Sequence, residues 1–425
     1  MATAGNEHVI RYFEEGTFAS GPGDWSVQTA FLCLEPNFEE IRQESLENGN
    51  YRPRAWNPHP MVPGRRNGTL SFGLYWHGRG TGSVAAEAAN ATTFEAPNLM
   101  RNAWGGRRLG RCSGVATHTG SAVAVDPGEG ASYRPGDWMF LMDPADNSRG
   151  RFVRVESIAT DDITLLFAAP ADLPDDGSAT SGAVICSFLH TRALINRAHP
   201  EHVTHSFHQV RDPQATDDVI EARGVKLNMT AIDAVESGGE PILRFEGMAA
   251  THQNEGLVRP ADPATIAGDS PLVVSQGSDT FVQLGDVGSD LAVVEAHAVT
   301  ITPGVTSAPV EGVGGVEGRH GYHGTGFEGT RVEIVVPHDD AFQAEWENRT
   351  PRHMLLQIGT TQGRAVGLYM PNMLLAEDPM KSVSQDLATC TLVYEAYEYE
   401  GAQEGSVSGD ALEQYRSKIQ MLFSA

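Results

Sequence analysis

Lysine is nearly absent from this 425-residue chain: Lys226, Lys381 and Lys418 are the only three, so 27 of its 30 cations are arginine. Basic charge as a whole is scarce. Against those 30 cations stand 55 acidic residues, for a formal net charge of −25. Such a polyanion is poorly built to grip DNA, because affinity for phosphates comes from cations that displace counterions. Long apolar runs are missing too. No stretch approaches the roughly 18 to 20 residues of a membrane-spanning helix. The opening MATAGNEHVIRYFEEGTF has neither the basic nor the apolar region of a signal peptide, so none is expected. The four cysteines, Cys33, Cys112, Cys186 and Cys390, form no CxxC pair and no zinc-ligand spacing. Reduced, buried thiols in a cytoplasmic setting are the expectation.

Catalytic signatures are absent as well. There is no GxGxxG placed after a strand and before a helix, no GxxxxGK[ST], no GxSxG and no HExxH. The adjacent acids Glu14–Glu15 and Asp161–Asp162 project to opposite faces of a strand, which is no geometry for a glycosidase. Asp143, Asp146 and Asn147 in DPADNSRG lack the distal glutamate of a calcium loop and read as a turn. His199, His202, His205 and His208 recur every third residue in HPEHVTHSFH. On a helix they would suggest a metal site, but Pro200, Val203 and Thr204 favour extended chain, where that spacing alternates faces. His320 and His323 sit in a glycine-rich loop and read the same way. No nucleophile, base and orienting group come together. The sequence therefore assigns no catalytic, cofactor-binding or metal-ligating residue and points away from an enzyme.

What is present is period-two alternation, punctuated by 46 glycines and 24 prolines. It predicts strands over 26–35, 69–77, 136–143, 151–158, 162–168, 183–189, 224–234, 241–248, 279–285, 291–302, 330–336, 353–359, 364–372 and 387–398. Helices are expected only at 92–104 behind a threonine cap, at 339–348 with acids at its N-terminal end, and at 408–423, where Leu412, Tyr415, Ile419 and Leu422 fall at helical spacing.

The order also repeats. A Gly-Thr strand at 68–76 precedes a helix containing Phe94 and Trp104, and a Gly-Thr strand at 329–337 precedes one containing Phe342 and Trp346. Each half ends in a long alternating pair, 224–248 and then 364–398. Ahead of each Gly-Thr strand lies another strand and a Gly/Pro/Arg-rich loop, 49–68 and 303–329. Residues 105–182 have no counterpart and predict a small inserted β domain, a tolerated kind of insertion. The expected division is 1–104 with 183–255 as a first unit, 105–182 as the insertion, 256–403 as a second unit and 404–425 as a C-terminal helical segment. Arg65, Arg66, Arg101, Arg107, Arg108 and Arg111 gather near Trp104. Against the overall charge they are expected to pair with acids of a neighbouring subunit, which suits arginine's planar fork.

Three stretches, RYFEEGTFASGPGDW, residues 218–251 and residues 345–397, together with the duplicated order, resemble the tail tube proteins (major tail proteins) of long-tailed bacteriophages. The resemblance covers about 300 residues in pieces and omits the insertion. It implies a mostly β fold of two tandem sandwich or half-barrel units, each with a flanking helix. It further implies self-association into trimeric, pseudo-hexameric rings that stack into a virion tail tube. The subunit would assemble in the host cytoplasm and meet tape-measure, terminator and distal tail proteins. DNA would pass through transiently, and no membrane or cofactor would be involved. The loops 49–68 and 303–329 would serve ring-to-ring contacts, and the insertion would decorate the outside. On this view the acidic excess faces the channel and repels phosphates. Two alternatives remain: a distal tail or adaptor ring of the same fold, and a carbohydrate-binding β module using Trp56, Trp76 and Trp138 as exposed aromatics.

Overall fold

The computed structural model of the chain describes residues 7–42, 66–76, 96–106, 113–142, 149–168, 180–181, 183–187, 203–210, 219–236, 240–253, 257, 260, 266–267, 279–327, 329–361, 363–384 and 387–424. Alternating sequence emerges as antiparallel sheet. Strand β1 spans Glu7–Glu14, β2 Ala30–Arg42 and β3 Arg66–Tyr75, and helix α1 follows at Ala96–Trp104. The insertion supplies β4 (Ser113–Thr119), β5 (Ala122–Val125), β6 (Trp138–Met142), β7 (Gly150–Ala159), β8 (Asp162–Leu165) and β9 (Thr180–Ser181). The chain returns through β10 (Ala183–Ser187), β11 (His205–Val210), β12 (Val219–Glu236), β13 (Ile242–Ala249), β14 (Thr251–Gln253) and β15 (Ile266–Ala267). The second half opens with β16 (Thr280–Asp286), β17 (Ala292–Val294), β18 (Ala298–Thr302), β19 (Val305–Val316), β20 (Arg319–Phe327) and β21 (Thr330–Pro337). It continues with α2 (Asp340–Asn348), β22 (Arg352–Ile358), β23 (Val366–Leu375), β24 (Met380–Ser384), β25 (Leu387–Ala396), α3 (Asp410–Arg416) and β26 (Gln420–Ser424).

Two units share one strand order. In unit one, β1–β2–β3–β13–β12–β11 pair in that sequence and β11 pairs back to β1, closing a six-stranded barrel. In unit two, β18–β21–β25–β23–β22–β16 repeat the order as a curled half-barrel, and β16 returns to β17, just ahead of β18. Helix α1 follows β3, and α2 follows its counterpart β21. Alternate residues of matching strands fill one core: Leu70, Phe72 and Leu74 of β3, then Val332, Ile334 and Val336 of β21. Each such side chain contributes about 1.5–3 kcal/mol when fully buried. Helix α1 adds Leu99, Met100, Ala103 and Trp104, one face at helical spacing.

The insertion pairs in the order β6–β7–β8–β5–β4–β9. It interrupts unit one but packs on unit two, sharing a core with Leu355, Ala365, Tyr369 and Leu422. Its Arg154 is buried, with its guanidinium 5.3, 4.8 and 5.1 Å from the ring centroids of Tyr369, Tyr399 and Tyr415. Three rings and the Tyr415 carbonyl, 3.0 Å from Nη2, replace the water this cation loses.

Three expectations change. Only residues 410–416 of the predicted C-terminal helix are helical. Residues 420–424 form β26, buried throughout between β23 and β10. Pairing on both edges overrides a helical spacing that stood in the sequence. Strand β10 thereby joins unit two's sheet through β26, although it belongs by sequence to unit one. The 303–329 loop is largely a hairpin, β19–β20.

Candidate functional site: one long sheet face and its two edges

The 18-residue β12 is longer than its own barrel needs. Its first part pairs with β11, and its last part pairs with β18 of unit two: Ile232 with Ile301, Val235 with Val299, Glu236 with Ala298. Ile232 also pairs with Leu243 on its other side. The sheet therefore runs without interruption as β2–β3–β13–β12–β18–β21–β25–β24, eight antiparallel strands. One side is the core. The other carries Asn37, Glu39, Thr69, Ser71, Asn228, Asp233, Arg244 and Glu246 from unit one, and Thr300, Thr302, Arg331, Glu333 and Glu395 from unit two. Both arginines are held by acids, Arg244 by Asp233 at 2.6 Å and Arg331 by Glu377. Glu39, Glu246, Glu333 and Glu395 leave the described part of this face acidic.

The two end strands correspond to the two that meet in the middle. Gly68 and Thr330 hold equivalent positions in the matching strands, each two residues ahead of a core side chain, Leu70 and Val332. Leu34 of β2 pairs with Gly73, and Ala298 of β18 pairs with Val335, each five residues past that position. Lys226 lies opposite Met248, itself opposite Thr69; Leu374 lies opposite Glu395, itself opposite Arg331. Ten residues on from each lie Glu236 at the end of β12 and Ser384 at the end of β24. Among the described residues, Glu35–Arg42 of β2 are paired only on the β3 side, and β24 is paired only with β25.

Between β11 and β18, no strand among the described residues pairs with that edge of β12. Asn102 of α1 fills the gap: its Oδ1 accepts from Leu227 N at 2.7 Å and its Nδ2 donates to Val225 O at 3.0 Å. A side-chain amide thus satisfies buried backbone groups that a strand would otherwise pair. His205 Nδ1 lies 2.7 Å from the same Nδ2. Burial first, then Lys226 and Arg101, push this imidazole down to about 3, so it is neutral and accepts. The buried Lys226 donates to Asn102 O, and burial pushes its ammonium down to about 7. Unit two uses another lock. Buried Glu345 of α2 accepts from Tyr394 Oη at 2.8 Å and Arg352 Nε at 2.9 Å.

The N-terminal segment and the hairpin are tied to unit one. Glu15 accepts from Ala19 N and Gly224 N, each at 2.8 Å, and from Thr204 Oγ1 at 2.7 Å, with Ser206 Oγ as a fourth donor. Where β20 leaves the turn, Arg319 Nη1 donates to Ala249 O at 2.6 Å, and three residues on Tyr322 Oη lies 2.8 Å from Gly224 O. Ser307 N and Oγ both donate to Asn228 Oδ1. Val313, near the hairpin tip, is fully exposed.

The histidine run separates as extended chain requires. His205 faces Asn102, while His208 packs against Trp25 with the ring centroids 5.0 Å apart and the planes tilted. His199 and His202 lie outside the described residues, as do Asp143, Asp146, Asn147, Arg65, Arg107, Arg108, Arg111, Trp56 and Cys112. Among the described residues no group of three or more His, Cys, Asp or Glu is placed to hold a metal. His320 is exposed, with Nε2 3.2 Å from Val313 O. Arg101 pairs with Glu14 of its own chain at 2.8 Å. Trp76 and Trp138 are buried and offer no exposed sugar platform. Sequence reading missed Asn102, Glu15 and Glu345, since none stands in a recognisable motif. Comparison with protein-family models finds no match for this chain, and comparison with curated proteins finds none either.

Proposed function

We propose that this chain is a structural, non-enzymatic subunit of a phage-type tail tube, three copies closing a ring and rings stacking into a conduit for DNA. The β12–β18 junction supports this reading. There one unit's sheet runs into the next, and the strands left at the two ends are the counterparts of the two that meet. The junction inside one chain is thus offered again between unit two of one copy and unit one of the next. A head-to-tail contact of this kind closes into a ring when its rotation allows. Three copies of the eight-stranded sheet give a barrel of twenty-four strands, wide enough for a channel. Closure also removes both open edges, which otherwise invite uncontrolled pairing.

The polar face of the sheet then lines the channel. Its glutamates repel phosphates, and its arginines are already occupied by acids, so DNA passes without being held. The insertion lies outside the ring, and the exposed tip of the β19–β20 hairpin reaches the neighbouring ring. Tape-measure, terminator and distal tail proteins are the remaining partners. Negative-stain electron microscopy of the purified protein tests this. Long hollow tubes are expected. Single rings that never stack would favour a distal tail or adaptor role, and monomers alone at high concentration would overturn the reading.

A further inference from the structure

The hairpin of unit two rests on unit one. It carries β18 and β21 on past Thr302 and Thr330, alongside β12. Ser307 donates to Asn228 Oδ1, Arg319 to Ala249 O and Tyr322 to Gly224 O. Gly224, Lys226 and Ala250 are buried in this seat.

Unit two has the same seat. With Gly68 matched to Thr330, Met248 corresponds to Glu395 and Lys226 to Leu374, so Gly224 corresponds to Asn372 and Ala250 to Tyr397. The backbone agrees: Ala250 N donates to Gly224 O at 3.3 Å, and Tyr397 N donates to Asn372 O at 2.8 Å. Burial differs. Asn372 and Leu374 are only half-buried, and Tyr397 is 40% exposed.

The counterpart of the hairpin is also fixed by register. Thr302 pairs with Arg331 as Glu39 pairs with Thr69, and β2 and β3 pair on to Arg42 with Arg66. Residues 40–67 therefore hold the place of 303–329. The two segments differ in charge: 303–329 carry one arginine and three glutamates, 40–67 five arginines and three glutamates. The seats differ in the opposite sense. Unit one has Met248 and Lys226 where unit two has Glu395 and Leu374. Glu398 adjoins the second seat, where Asn372 Nδ2 donates to its carbonyl at 3.0 Å and Tyr397 Oη donates to Glu395 at 3.0 Å.

We propose that residues 40–67 of one copy seat on Asn372, Glu395 and Tyr397 in unit two of a second copy, as the hairpin seats on unit one within a chain. The proposal rests on the ring reading above. Opposite charges steer the basic segment to the acidic seat, and like charges keep the acidic hairpin off it. Unit one of one copy is thereby directed to unit two of another and not to a second unit one.

Photo-cross-linking tests the seat. Tyr397 of the full-length chain is replaced by p-benzoylphenylalanine, and heavy-isotope-labelled and unlabelled copies are mixed, assembled and irradiated. Mass spectrometry is expected to find position 397 joined to residues 40–67 of a different copy, at least tenfold more often than in dilute unassembled protein. Assemblies whose cross-links stay within one chain, or reach other segments, would overturn the seat and leave the ring standing. Absence of assembly by the wild-type chain would overturn the ring, and the seat with it. A second measurement reads the charge. Glu395→Arg with Glu398→Arg is expected to slow assembly about tenfold, as lost steering does, and Arg52→Glu with Arg54→Glu in the same chain is expected to restore it. An unchanged rate, or no restoration, would overturn the sorting by charge. If the photoreactive chain does not assemble, the charge variants decide alone.

Discussion

Unit one holds its helix to the barrel with an amide, and unit two with a carboxylate. Asn102 plugs a gap in β12 and takes a hydrogen bond from a buried lysine, whereas Glu345 binds Arg352 and Tyr394. Where unit one has Lys226, unit two has Leu374. The strand order and apolar faces are nonetheless the same. The plan of each unit thus comes from alternating hydrophobic strands, and the polar lock is a local solution to whatever backbone the strands leave unpaired.

That comparison breaks most readily at the locks. Asn102→Ala leaves Val225 O and Leu227 N buried and unpaired. At about 1–3 kcal/mol for each unsatisfied group, it should cost about 4 kcal/mol. Glu345→Ala should cost less, about 3 kcal/mol, at the low end for a broken buried pair. Arg352 keeps Asp286 as a partner and is partly exposed. Denaturant unfolding of both variants checks the order. If Glu345→Ala proves the more damaging, Asn102 is not standing in for a strand.

A smaller effect separates the lysine from its apolar counterpart, Leu374. With Lys226 held down to about 7 in the folded chain against 10.5 when free, the unfolded chain binds more protons between those values. Stability should therefore rise with pH across that window. Lys226→Met should lose that rise and be the more stable protein at pH 7 and below. It should keep the acid-side loss. Burial first holds His205 near 3 and both His208 and His353 near 4, below the ordinary 6.5, so stability falls as pH drops through that range. Thermal melts from pH 4 to 10 read both limbs, and an unchanged basic limb in the variant would remove Lys226 as its source.

The duplicated order was legible because its signals are local: a Gly-Thr start, alternation, and a short helix bearing Phe342 and Trp346. Residues 420–424 were misread for the opposite reason. Ile419 and Leu422 fit a helix by spacing, but β26 exists because β10 and β23 flank it, and β10 lies more than two hundred residues earlier. Asn102 was invisible on the same grounds. Its role depends on which part of β12 lies between β11 and β18, and no window of sequence around α1 carries that. Lys226 stood out only by rarity, which marked its residue type and not its burial. Trp76 and Trp138 looked available as aromatics because an isolated tryptophan says nothing about which face of its strand is covered.

The smallest test concerns how the two helices end. Gly105 directly follows α1 with φ 79°, and Arg349 directly follows α2 with φ 52°, both left-handed. Glycine adopts this at no steric cost, while a side chain there costs about 1–2 kcal/mol. Gly105→Ala should therefore destabilise by about 1 kcal/mol. Arg349 offsets its cost with contacts glycine lacks: its guanidinium lies 3.9 Å from the Trp346 ring centroid, and Nη1 donates to Leu375 O at 3.1 Å. A cation–π contact of about 0.5–1 kcal/mol and a hydrogen bond of about 1 kcal/mol together match the backbone term. Arg349→Gly should then change stability by less than about 1 kcal/mol, within the usual range for surface substitutions. A clear gain in melting temperature for Arg349→Gly would mean that those contacts contribute little, and that unit two, like unit one, would be better ended by glycine.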